Sequence, residues 1–130
     1  MPAMRAVLLM LLIATPALGA ERLRADLACR PVANDEYAYD CAIKLSDARG
    51  KPVPGAEITV GADMPSMPMA HNLAPVQAKP ATEPGTYDAR LELEMHGEWA
   101  VKLRLAKPRN DQFVRRLRFE PGKVEPATQR

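Results

Sequence analysis

The methionines and histidines of this 130-residue chain are unevenly placed. Met1, Met4 and Met10 lie at the start; the other methionines and both histidines fall in two short segments, Met64–His71 and Met95–His96. A thioether is a soft, neutral donor that selects Cu(I) over zinc, calcium or magnesium, and an imidazole adds a stronger nitrogen donor. Neither has to lose a proton as a thiol does. In extended backbone, residues two apart project to the same side. In Asp63-Met64-Pro65-Ser66-Met67-Pro68-Met69-Ala70-His71-Asn72 the side chains of Met67, Met69 and His71 are therefore expected on one face. Pro65 and Pro68 favour extended conformation for themselves and for Met64 and Met67 before them. This pattern predicts a three-coordinate Cu(I) site of Met67, Met69 and His71. Met64 is a further candidate ligand, and Met95 and His96 would complete or extend the site if the two segments are neighbours. Asp63 is expected to orient His71 from behind, and Trp99 could cap a cation with its π face. Packing is the alternative. Methionine fills irregular cores; Met95 continues an inward series with Leu91 and Leu93, Trp99 opens another, and His96 could simply cap a turn.

Catalytic chemistry has little to work with. His71 and His96 are the imidazoles, and Ser46 and Ser66, the serines of the chain, lack a nucleophile-elbow context. No catalytic residue is expected, and binding is favoured over an enzyme. The formal net charge of +2 argues against capture of nucleic acid. The run Arg115-Arg116-Leu117-Arg118, with Phe113 and Phe119 around it, reads as the solvated face of a strand.

The elements that must position these groups begin after residue 20. Arg5, the apolar run Ala6–Ala14 and the small residues Thr15–Ala20 have the three-part layout of a cleavable signal peptide over residues 1–20, cut after Gly19 or Ala20. The apolar run is shorter than the roughly 20 residues needed to span a bilayer, and no later stretch is apolar enough, so the mature chain is expected to be periplasmic with no membrane span. A single domain over residues 21–120 and a disordered polar tail over 121–130 are expected. In an oxidising compartment Cys29 and Cys41 are expected to form a disulfide. Leu23, Ala25, Leu27 and Cys29 alternate with other residues, as do Tyr37, Tyr39, Cys41, Ile43 and Leu45, which marks half-buried strands. A hairpin centred near Asp35, with Arg30–Glu36 as its connection, places the two cysteines opposite each other. Further strands are expected at Ala56–Val60, from Gly85 to Met95, from Trp99 to Leu105 and from Gln112 to Phe119, with Met64 to Pro84 as a Pro- and Met-rich connection. Recurrent prolines exclude long helices. The fold class is all-β, an immunoglobulin-like antiparallel β-sandwich of about seven strands, with an open barrel as the competitor.

The order of Gly50-Lys51-Pro52-Val53-Pro54-Gly55-Ala56-Glu57-Ile58-Thr59-Val60, the Met64–His71 element, Pro84-Gly85-Thr86-Tyr87 and Met95-His96-Gly97-Glu98-Trp99 resembles the YtkA-like/FixH-like family of small periplasmic β-sandwich proteins. The resemblance spans about Ala42 to Phe119. It implies an immunoglobulin-like periplasmic domain linked to copper handling, beside efflux systems or in delivery to haem–copper oxidases. By position it puts the Met/His element on Met64, Met67, Met69 and His71, and a second element on Met95 and His96. FixH proper keeps a transmembrane anchor, whereas the N-terminus here reads as cleavable, so a diffusible carrier is expected. The leading expectation is a periplasmic protein that carries or buffers Cu(I). The competing one is a metal-free interaction module whose Met/Pro segment docks an efflux or oxidase-assembly component.

Overall fold

The computed structural model describes residues 22–127. The expected signal peptide and residues 128–130 of the expected tail lie outside the described residues. The described chain folds into strands β1 (Arg24–Val32), β2 (Asp35–Ser46), β3 (Glu57–Asp63), β4 (Asn72–Gln77), β5 (Lys79–Pro80), β6 (Thr86–Glu92), β7 (Gly97–Lys107), β8 (Asp111–Glu120) and β9 (Lys123–Pro126). They form two antiparallel sheets, β1-β2-β6-β5 and β4-β3-β7-β8-β9. The architecture is the expected all-β sandwich.

Period-two alternation builds the core, because successive side chains of a strand point to opposite faces. Tyr39, Cys41, Ile43 and Leu45 of β2 and Tyr87, Ala89 and Leu91 of β6 are buried from one sheet. Ile58, Val60 and Ala62 of β3 and Trp99, Val101, Leu103 and Leu105 of β7 meet them from the other. Tyr39 lies edge-on to Phe119 of β8 at 4.8 Å and donates its hydroxyl hydrogen to the Glu120 carbonyl at 3.0 Å. Burial, with the Glu36 and Tyr37 charges adding to it, raises the Tyr39 pKa above its ordinary 10.0 and keeps that donor protonated. The Tyr87 hydroxyl donates to the Val53 carbonyl at 2.7 Å and accepts from the Ala56 N–H at 2.9 Å, which fastens the β2–β3 connection to the core.

The β1–β2 hairpin pairs Cys29 with Cys41, and the two are bridged. The turn is shorter than Arg30–Glu36. Both strands run further, and the chain reverses at Ala33–Asn34, with Asn34 at φ 64°. Asparagine tolerates that left-handed conformation better than most residues. The disulfide links residues separated by 12 in sequence, which in the chain-entropy view is worth about 3 kcal/mol. Unfolding of a Cys29→Ala/Cys41→Ala variant in urea should show a loss of that order; a loss below about 1 kcal/mol would mean that the reduced chain already holds the hairpin.

Three expectations about the elements need correction. The Met64–Pro84 stretch is not a bare connection: β4 pairs with β3, β5 pairs with β6, and Leu73 and Val76 pack against the core. Pro75 in β4 and Pro80 in β5 are tolerated because both strands lie at sheet edges, where a missing N–H leaves no inner ladder bond unmade. The tail is not disordered over residues 121–127. Gly122, at φ 74°, turns the chain, β9 pairs with β8, and Val124 packs on the core. The strand expected to reach Met95 ends at Glu92, and the chain bends through Glu94–His96 as it passes from one sheet to the other. With these additions the sandwich has nine strands among the described residues rather than about seven.

The β3–β4 and β6–β7 connections lie at one end of the sandwich, which the β1–β2 and β8–β9 turns share. The start of β2 lies beside them, where the Leu93 N–H donates to the Tyr37 carbonyl at 2.9 Å.

Candidate functional site

The β3–β4 connection carries the Met/His element, and it is not extended. The Met67 N–H donates to the Met64 carbonyl at 3.0 Å, making one turn. The N–H groups of Ala70 and His71 donate to the Met67 carbonyl at 3.2 and 3.3 Å, making a second. The base closes through the Met64 N–H and the His71 carbonyl at 3.3 Å, and the Asn72 side chain donates to the Pro68 carbonyl at 2.9 Å. This corrects the straight-chain expectation. Pro65 and Pro68 each follow the first residue of a turn, where a φ locked near −65° is already the one required. The rule that residues two apart share a face does not apply here. Met67, Met69 and His71 lie in one loop whose backbone these hydrogen bonds close.

Their environments differ. Met64 is only 4% exposed and belongs to the core. Gly97 has φ 135°, a conformation that favours glycine, and a Cβ there would lie 3.0 Å from the flexible terminal methyl of Met64, which would have to shift slightly to admit it. This contact seats the Met/His loop against the start of β7. Met67 is 37% exposed and Met69 is 94% exposed. Met95 is half-buried and packs against the core, which matches the packing alternative for that residue.

The His71 side chain is 26% exposed and is held by Glu94, with Nδ1 and Oε2 2.7 Å apart. The carboxylate accepts the Nδ1 proton, which leaves the Nε2 lone pair for another partner. Glu94 takes the role expected of Asp63. Asp63 instead accepts a hydrogen bond from the Lys102 ammonium of β7 at 2.7 Å. The sequence does not point to Glu94, since a strand continuing from Gly85 to Met95 would turn it away from the inward Leu93 and Met95; the strand stops two residues earlier, and the bend turns this carboxylate toward the loop. Its adjacency to Met95 and His96 was the available signal.

Trp99 is fully buried, and its indole N–H donates to the Met95 carbonyl at 3.1 Å. The His71 ring stands nearly edge-on to it, 6.5 Å between centroids at 68°. Trp99 is thus a floor beneath the loop and holds the β6–β7 bend; it is not an exposed π cap.

His96 is secured separately. Its Nε2 donates to the Glu36 carbonyl at 3.0 Å, its ring stacks on Tyr37 at 4.6 Å, and its Nδ1 is 3.9 Å from a Glu36 carboxylate oxygen. The fold therefore joins Met67, Met69 and His71 in one loop, adds Glu94 from the β6–β7 bend, packs Met64 and Met95 on the core, and ties His96 to β2. Among the described residues no three His, Cys, Asp or Glu side chains gather as a metal-binding group. A metal held at this loop would rely on thioether sulfur, a donor that suits a soft monovalent cation.

Fold and loop together define a small disulfide-bonded β-sandwich protein that presents thioethers and an oriented imidazole at one end. The YtkA-like family model matches residues 17–104, well over half of the chain, and the protein belongs to that family. The match begins earlier and ends sooner than the span of Ala42 to Phe119 on which the resemblance rested. No curated protein and no solved structure matches the chain. No helix among the described residues is long and apolar enough to cross a membrane.

Proposed function

We propose that the protein binds Cu(I) in the periplasm and carries or buffers it, with Met67, Met69 and His71 as the donors and no catalytic step. The observation that carries this reading is the His71–Glu94 pair at 2.7 Å in a loop that also exposes two thioethers. A carboxylate on one imidazole nitrogen fixes the tautomer and raises the basicity of the other, as is common behind metal-bound histidines. Thioethers on a solvent-facing loop permit a partner's ligands to replace them one at a time, which suits transfer. Export is supported by the Arg5 and Ala6–Ala14 pattern and by a disulfide, which an oxidising compartment sustains.

The test is an anaerobic Cu(I) titration against a chromophoric competitor. The protein should take up a single equivalent, and Met67→Ala and Met69→Ala should weaken uptake. Trp99 is the sole tryptophan of the chain, and its closeness to His71 makes its fluorescence an internal reporter of loading. Absence of any competition for Cu(I) would overturn the reading. Glu94→Gln should keep the fold and lower the affinity by roughly 10–100-fold, the usual cost of losing an orienting partner; an unchanged affinity would remove Glu94 from the site.

The near-complete exposure of Met69 beside two prolines favours one alternative, a metal-free docking loop for an efflux or oxidase-assembly component. That module would ignore Cu(I) yet lose its partner on Met69→Ala.

A further inference from the structure

Among the described residues, exposure divides the methionines by chemical vulnerability as well as by role. Met64 is sealed in the core, Met95 is packed against it, Met67 is partly open and Met69 is almost wholly solvated. Met69 sits in the second turn of the loop, and neither it nor Met67 belongs to the core cluster. Both cysteines are joined in the disulfide, so no free thiol competes for an oxidant. Thioether oxidation needs contact between a peroxide and a sulfur lone pair, and accessibility therefore sets its order.

We propose that Met69, followed by Met67, is an oxidation site at which a hydroperoxide switches off the loop's soft donors without unfolding the domain. In the reaction the peroxide O–O bond breaks and an S–O bond forms. The sulfur gives up two electrons, and hydrogen peroxide is reduced to water. The sulfoxide is polar and chiral in place of a soft, neutral thioether, so its affinity for a soft cation falls. The core does not lose a side chain, because the methionines that pack there are Met64 and Met95. The consequence for copper rests on the functional reading above; the site of oxidation does not.

The experiment treats the metal-free, disulfide-bonded protein with graded hydrogen peroxide and maps each methionine by peptide mass spectrometry. Met69 should oxidise first and Met67 second, with Met64 at least about tenfold slower. The far-ultraviolet circular dichroism and thermal midpoint should stay at their starting values while Met69 and Met67 are converted. In the anaerobic Cu(I) competition the oxidised protein should bind at least about tenfold more weakly than the untreated protein, and a Met69→Leu variant should lack the fastest oxidation phase. Oxidation of Met64 or Met95 at the rate of Met69, or loss of the fold with Met69 conversion, would overturn the assignment. Equal Cu(I) affinity before and after oxidation would overturn the switch. If the untreated protein itself takes up no Cu(I), the functional reading and the switch fail together, while the mass map still decides where the oxidant acts.

Discussion

Replacing His71 with alanine is expected to weaken Cu(I) binding by more than the roughly 10–100-fold that loss of an orienting partner costs, because it removes the donor itself. In the proposed site the His71 imidazole is the strongest donor, and its position is set twice, by Glu94 at 2.7 Å and by the Trp99 ring behind it. Removing it leaves two thioethers on a turn, a set too weak to compete with a chelator of ordinary strength. The stability of the variant should barely change, since the His71 side chain lies at the rim of the fold and its pairing with Glu94 is partly solvated. A competition titration of the variant, alongside its thermal melt, separates the two effects. His96→Ala provides the contrast. Its ring is occupied by Glu36 and Tyr37, so Cu(I) affinity should fall far less than for His71→Ala. Equal losses in the two variants would show that both imidazoles ligate and that the loop opens to admit the second.

Trp99→Ala carries the largest expected cost in stability, roughly 3–5 kcal/mol. The side chain is the largest of those fully buried and lies on β7 between the two sheets. Its removal opens a cavity where sheet strands cannot easily collapse, and it deprives the Met95 carbonyl of its indole donor. Circular dichroism in urea should report the loss; fluorescence cannot, since the fluorophore is gone. Trp99→Phe keeps most of the apolar volume and drops the N–H, so a smaller cost is expected. A loss below about 1 kcal/mol for the alanine variant would show that the site end of the sandwich is loosely packed. The prediction also bears on function: without this floor, the bend that carries Glu94 loses its anchor.

Much of this was legible from residue types and spacing because the physics behind it is local. Alternation in Tyr39-Cys41-Ile43-Leu45 identified a core face, and a hairpin joining the two alternating segments set Cys29 against Cys41; the chain reverses earlier than Asp35, and an irregularity between Pro31 and Val32 shifts the register so that the cysteines still pair. The clustering of thioethers and imidazoles in two short segments was visible in the sequence itself. Other features escaped. Strand β4, Asn72–Gln77, has no clean alternation and contains a proline, and it is a strand only because β3 offers it an edge. Strand β9 is short and polar and depends in the same way on β8. The prolines of the Met/His loop were read for their φ preference, which is shared by extended chain and turns, so the local signal did not discriminate between them.

By itself, the sequence determined the all-β class, the inner faces of the long strands, the cysteine pairing and the clustering of methionines and histidines in two segments, since each follows from residue chemistry or a short repeat. The tertiary structure alone decided that the donor segment folds back on itself, that Met64 belongs to the core while Met69 does not, and that Glu94 rather than Asp63 holds His71. Those outcomes depend on how two connections from different sheets meet at one end of the sandwich, across 23 residues of chain, and no local periodicity encodes such a meeting.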